Sequence, residues 1–178
     1  MRTIAAGIYL TGFTSSSFEI LLLFSFQTFY GNIYSAIGLI VAIFMGGLAI
    51  GSLIGNRMLI TKKHYLSAQM HLFAYALLYP IFWGLQNGIG SIFGGLLLFG
   101  MSTLVLSAIA GFQYVAGTKI LQDKFTQTAP MLYSVDLIGT ALGTVVISVV
   151  LLPLAGILNS CFIIGGLNLL FGINGVWT

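Results

Sequence analysis

Charge is what this sequence has least of. Only 5% of its 178 residues are charged, against 58% hydrophobic, whereas a soluble domain carries roughly a quarter charged residues. Such a chain cannot clothe a water-facing surface, and lipid is the solvent that its composition fits. Cysteine is nearly absent as well. Cys161 stands alone in an apolar stretch, so it forms no internal disulfide and supplies no metal-ligand spacing. The glycine-rich stretches lack phosphate-loop and dinucleotide patterns in a strand–helix setting. No nucleophile–base arrangement is visible, and enzyme chemistry finds no support. His64 and His71 are seven residues apart, about 10 Å along a helix. That is too far for one metal, and haem within one chain would need two facing helices. No cofactor or metal is expected.

What the sequence has in abundance is long apolar runs separated by short polar joints. A helix needs about 20 apolar residues to cross the hydrocarbon, and the runs give six spans near 4–26, 35–56, 66–86, 91–114, 131–153 and 157–176. The expected fold is all-α, a polytopic bundle of six transmembrane helices forming one domain over 1–178. The first run follows Arg2, exceeds a signal-peptide core and lacks a clear cleavage site, so it reads as a retained signal anchor.

The basic residues check the count. Arg2, Arg57, Lys62, Lys63, Lys119 and Lys124 are all six of them, and six spans place every one on the same side. Basic residues at helix ends are held in the cytoplasm, so both termini are expected there. The net charge of +3 then reflects topology and needs no nucleic-acid partner. Lys62, Lys63 and His64 could touch anionic head groups, as most such loops can.

Small residues indicate packing. Gly47, Gly51 and Gly55 recur along one face, as do Gly139 and Gly143, with Gly90 and Gly94 near the start of the fourth span. Such stripes let backbones approach closely, within one chain or in a homodimer. Phe26-Gln27 with Gly31 echoes Phe112-Gln113 with Gly117, and Ile33-Tyr34-Ser35 echoes Leu132-Tyr133-Ser134. These echoes suggest a 3+3 inverted repeat, an architecture many transporters use.

Two of the three acidic residues fall inside spans. A carboxylate near the bilayer centre costs on the order of 2.5–3.5 kcal/mol on insertion scales, and no Lys or Arg lies in a span to offset it. Protonation, hydrogen bonds or a bound cation must do so. Glu19 stands about 22 Å from its cytoplasmic helix end and Asp136 about 8 Å from its own. Separate sites are therefore expected, either as two stations on a proton or cation route or as helix-pinning hydrogen bonds, with Asp136 wet at the interface. Ser16, with Ser15 and Ser17, offers hydroxyls beside Glu19. Gln27 and Gln113 are read at helix ends on opposite sides.

The stretch Gly12-Phe13-Thr14 through Glu19-Ile20, Phe26-Gln27, Tyr30-Gly31 and Phe44-Met45-Gly46-Gly47-Leu48-Ala49-Ile50-Gly51-Ser52 is one half of a resemblance. Gly111-Phe112-Gln113-Tyr114, Tyr133-Ser134-Val135-Asp136-Leu137-Ile138-Gly139, Leu142-Gly143 and Leu152-Pro153-Leu154-Ala155-Gly156 form the other. Over roughly half the chain they resemble the membrane portion of bacterial spermidine-synthase-like fusion proteins. The resemblance implies a bacterial cytoplasmic membrane and matches Glu19 and Asp136 to recurrent acidic positions. No counterpart of the family's soluble aminopropyltransferase-like domain is present, so polyamine synthesis is not implied. The single unit implies a homo-oligomer or other membrane subunits as partners, besides the lipid bilayer. Two functions stay open. One is a small transporter-like unit for a cation or small organic amine. The other is a non-catalytic membrane subunit holding a larger, for instance redox, complex.

Overall fold

The structure, a computed structural model, describes residues 2–31, 34–86, 91–122 and 128–176. Helix α1 spans Arg2–Tyr30, α2 Tyr34–Arg57, α3 Lys62–Gln86, α4 Ile92–Gln122 and α5 Thr128–Val145. Six π-helical residues, Val146–Leu151, lead into α6, Leu152–Val176. No strand occurs among the described residues.

The joints follow from local chemistry. Gly31 closes α1 at φ 81°, its N–H donating to the Gln27 carbonyl at 2.9 Å, as a left-handed cap requires. Ser91 caps α4 by accepting the Gly94 N–H at 3.2 Å. Pro153 explains the π-helical stretch. Its ring clashes with the carbonyl four residues back, and in the widened turn the Leu152 N–H reaches the Ile147 carbonyl instead. Gly156, at φ 76° and ψ 176°, then breaks the helix.

At that break the chain doubles back. Ser16 Oγ donates to the Thr140 carbonyl at 3.0 Å, and Asn168 Nδ2 donates to Thr14 Oγ1 at 2.8 Å. Residues 140 and 168 therefore meet the same turn of α1, although a straight helix would hold them about 42 Å apart.

Four helical segments are long and apolar enough to cross a membrane: Thr3–Tyr30, Tyr34–Arg57, Ile92–Leu121 and Ala129–Leu170. That number differs from the expected six for two physical reasons. The expected span 66–86 lies in α3, which is diluted by Gln69, His71 and a series of aromatic rings. The expected spans 131–153 and 157–176 are the two arms of one apolar stretch that folds back at Gly156. Helices also outlast the apolar runs that announced them, so Lys119 sits on α4 rather than in a joint.

The glycine stripes set the packing. A Cβ on Gly51 would lie 1.9 Å from the Ala108 carbonyl oxygen, and one on Gly111 2.3 Å from that of Leu48. Gly47 faces Ser107, and Gly55 faces Val115. The pairing rises in register along both chains, so α2 and α4 run parallel. The same close fit joins α1 to α5: Gly139 meets the Tyr9 carbonyl, Gly143 that of Phe13 and Gly12 that of Asp136. These glycines thus serve contacts within the chain. Gly90 lies outside the described residues. Helix α3 packs on α6, α4 and α1, and makes no contact with α2 among the described residues.

The basic residues gather at one end of the bundle. Lys119 Nζ donates to the carbonyls of Asn56 at 2.5 Å and Met58 at 3.1 Å. Tyr65 Oη donates to the Ile4 carbonyl at 3.2 Å. The start of α1, the end of α2 with Arg57, the start of α3 with Lys62 and Lys63, and the end of α4 therefore share this basic end. Lys124 lies outside the described residues.

Candidate functional site

Between the α1/α5 pair and the α2/α4 pair lies a cavity of about 350 Å³. Helices α2 and α5 flank it, with no Cα of one within 8 Å of a Cα of the other among the described residues. Glu19 and Asp136 both line it, which corrects the expectation that they occupy separate sites. Depth along each helix could not show which helices are neighbours. Asp136 abuts the first half of α1, since a Cβ on Gly12 would stand 2.7 Å from its Oδ1. Glu19 lies on the same face seven residues on, about 10 Å further from the basic end. Tyr133, 56% exposed, stands at the wall nearest that end.

The rest of the lining is rich in oxygen. Thr11, Ser15, Ser16, Ser52 and Thr140 add hydroxyls, Tyr114 and Tyr133 add phenols, and Phe44, Met45 and Leu48 close the apolar side. Several hydroxyl protons are already committed to carbonyls: Ser15 to Gly12 at 3.2 Å, Ser16 to Thr140 at 3.0 Å and Ser52 to Gly111 at 3.4 Å. Their lone pairs are what remains to offer. No Lys, Arg or His lines the cavity, and neither carboxylate has a hydrogen bond or ion pair among the described residues. A group entering here meets acceptors and negative charge.

The other expected residues divide. Gln27 is half-buried near the end of α1. Gln113 is not at a helix end, because α4 continues to Gln122. It is 0% exposed and belongs to a chain of amides that sequence reasoning missed. Gln113 Nε2 donates to Gln69 Oε1, Gln69 Nε2 donates to Asn168 Oδ1 at 2.6 Å, and Asn168 Nδ2 donates to Thr14 Oγ1 at 2.8 Å. The signal available was three carboxamides inside apolar runs, where each must find a partner. Cys161 is buried. His71 Nδ1 lies 2.6 Å from the Ser67 carbonyl and His64 Nδ1 2.8 Å from Thr61 Oγ1. No group of three His, Cys, Asp or Glu that could hold a metal occurs among the described residues.

Beyond Glu19, away from the basic end, the bundle is filled by aromatic rings. Phe18 meets Tyr75 edge-on at 5.3 Å, and Phe99 meets both Phe26 at 5.5 Å and Phe82 at 5.2 Å. Phe29 packs on Trp83 at 4.7 Å. The Tyr79 hydroxyl lies 2.5 Å from Ser25 Oγ. No family model matches the chain, and no curated protein or solved structure does.

Proposed function

We propose that this chain is a small transporter-like membrane unit that moves a cation or a small organic amine, with Glu19 as its principal binding carboxylate. One observation carries the reading: two carboxylates without a partner among the described residues line the same acceptor-rich cavity. An ionised carboxylate in a low-dielectric interior needs a compensating charge, and none of the described residues lining the cavity is basic. A cationic substrate supplies what the protein withholds. Asp136, nearer the basic end, is the station that the substrate meets on its way to Glu19.

In this reading the bundle crosses the bilayer six times. Helix α3, about 37 Å long, runs beside α1 and exceeds the roughly 30 Å of hydrocarbon. The run from Thr128 crosses and returns through the turn at Gly156. The clustered basic residues make that end cytoplasmic, with both termini on the same side of a bacterial inner membrane. The likeness to the membrane portion of spermidine-synthase-like proteins agrees with this reading at the level of the two acidic positions.

The test is uptake of radiolabelled sodium or methylammonium into proteoliposomes. Glu19→Gln keeps the shape and removes the charge, so uptake should fall to background while the bundle stays folded by circular dichroism. Uptake equal to wild type would remove Glu19 from the mechanism.

A second reading, a non-catalytic subunit of a larger membrane complex, is favoured by the outer face of α2. Gly38, Ala42 and Gly46 recur there at four-residue spacing, all exposed, and a Cβ on Gly38 or Gly46 would meet nothing within 4 Å. Such a face suits a helix from another subunit or a second copy.

A further inference from the structure

The contacts inside the bundle come in pairs. Gln113 on α4 bonds to Gln69 on α3, and Thr14 on α1 bonds to Asn168 on α6. Thr14 and Gln113 are 99 residues apart, and so are Gln69 and Asn168. The bond joining Gln69 to Asn168 connects the two halves of this arrangement and is its own counterpart.

The glycine contacts repeat the relation. Gly51 of α2 lies on the Ala108 carbonyl, and Gly139 of α5 lies on that of Tyr9. Gly111 lies on the Leu48 carbonyl, and Gly12 on that of Asp136. Tyr9 to Ala108 and Gly12 to Gly111 are again shifts of 99, while Gly51 to Gly139 and Leu48 to Asp136 are both shifts of 88. The sequence carries the trace: Ile50-Gly51-Ser52 followed by Gly55 matches Ile138-Gly139-Thr140 followed by Gly143, and Gly12-Phe13 matches Gly111-Phe112. This register replaces the one suggested by Gln27 and Gln113, which joins residues of different environment.

Helices α1 and α4 run antiparallel, since Gly117 approaches Ile8 while Gly95 approaches Tyr30. The relation is therefore an inversion, with its axis across the bundle. The cavity straddles that axis. Met45 faces its counterpart Tyr133 across it, Leu48 its counterpart Asp136, and Ser52 its counterpart Thr140. The two ends are not alike. Toward the basic end the cavity is lined by Tyr133, 56% exposed, whereas beyond Glu19 the core is packed with the rings of Phe18, Phe26 and Phe99.

We propose that α1–α3 and α4–α6 are inverted repeats about a two-fold axis through the Gln69–Asn168 hydrogen bond, and that the cavity opens to the opposite end when the two repeats exchange shapes. A site on the axis stays in place under the exchange, and only its mouth changes sides. The moving bodies are the two glycine-packed parallel pairs, α1 with α5 and α2 with α4. Each is too closely fitted to shear internally, and the cavity lies between them. The amide chain is the pivot, because its bonds map onto one another and survive the exchange. Both acids ride on the α1/α5 body, so the exchange carries them together. The proposal extends the transport reading, but the repeat and its motion stand apart from any particular substrate.

The experiment reads both ends at once and needs no substrate. In a Cys161→Ser background in lipid nanodiscs, spin labels are placed at Leu53 and Met131 for the basic end, and at Phe93 and Leu154 for the other. All four are exposed. Distances are measured by pulsed electron resonance in sodium or choline chloride, at acidic and alkaline pH, and again with Glu19→Gln. Exchange predicts two populations in which the basic-end distance shortens as the other lengthens. Single, unchanging distances at both ends, or changes of the same sense, would overturn it. Lost uptake in Glu19→Gln alongside fixed distances would sink the exchange and leave the transport reading standing. Opposed movements with unimpaired uptake would do the reverse.

Discussion

Gly51 and Gly46 sit five residues apart on α2 and provide a matched pair of probes. A Cβ at Gly51 would lie 1.9 Å from the Ala108 carbonyl oxygen and 2.7 Å from its carbon, both backbone atoms that cannot rotate away. A carbon–oxygen contact of this kind settles at about 3.3–3.6 Å. Gly51→Ala must therefore push α2 off α4 by more than about 1 Å, and the neighbouring close contacts at Gly47 and Gly111 loosen with it. Overpacking of that sort costs about 1–3 kcal/mol. Alanine's better helix propensity returns at most about 1 kcal/mol. At Gly46 the added methyl meets nothing within 4 Å, so Gly46→Ala receives the propensity gain alone. The difference between the two variants isolates the packing term, about 1–3 kcal/mol against Gly51→Ala. Reversible unfolding in mixed micelles, titrated with a denaturing detergent, measures it directly. Coincident transitions for the two variants would refute the claim that backbone contact at Gly51 joins α2 to α4.

Two further outcomes follow from particular contacts. Asn168→Leu removes the acceptor of Gln69 and the donor to Thr14 while keeping most of the volume. Intramembrane side-chain bonds are worth about 0.6 kcal/mol on average, so a loss of about 1 kcal/mol in the same titration is expected, and an unchanged midpoint would show the amide chain to be energetically idle. For the subunit reading, gentle extraction followed by native mass measurement should give one or two copies of this chain if it works alone. Defined additional proteins on the α2 face, released by Gly38→Leu with Gly46→Leu, would instead establish the complex.

The helical, apolar character of the fold was legible because it depends only on composition and run length. The glycine contacts were half-legible. The stripes at Gly47, Gly51 and Gly55 and at Gly139 and Gly143 announced close approach, but a four-residue spacing says nothing of what approaches. Helix α3 lies where its apolar run placed it, but its burial was not legible because neighbours decide it. Gln69, Tyr79 and Leu72 are equally inaccessible, and only the first two look polar in a sequence. Gln113 was misplaced for a related reason. The apolar run stops near it, yet the helix continues for nine more residues because Lys119 can bond to the carbonyls ending α2. Glu19 and Asp136 were found because carboxylates in apolar runs are conspicuous. Their common cavity stayed hidden because it depends on α1 lying beside α5, a pairing between residues more than a hundred positions apart.

Charge is distributed unevenly about the proposed two-fold relation. The scaffold contacts obey it, whereas the acids do not. The counterpart of Asp136 is Leu48, and that of Glu19, at the α1-to-α4 shift of 99, is Thr118. If the carboxylates served only to pin helices, the symmetric packing would offer them polar partners, as it does for Thr14 and Gln113. Instead they lie on one body, and the other lines the cavity with Phe44, Met45 and Leu48 beside Ser52 and Tyr114. Carboxylates carried by one body alone hold a cation from that side and release it readily when the two walls part. On the transport reading this sets the division of labour: the α1/α5 pair carries affinity and the α2/α4 pair carries the seal. Substitutions at Glu19 should therefore act on binding, while polar substitutions at Leu48 should leave binding intact and let the cation leak.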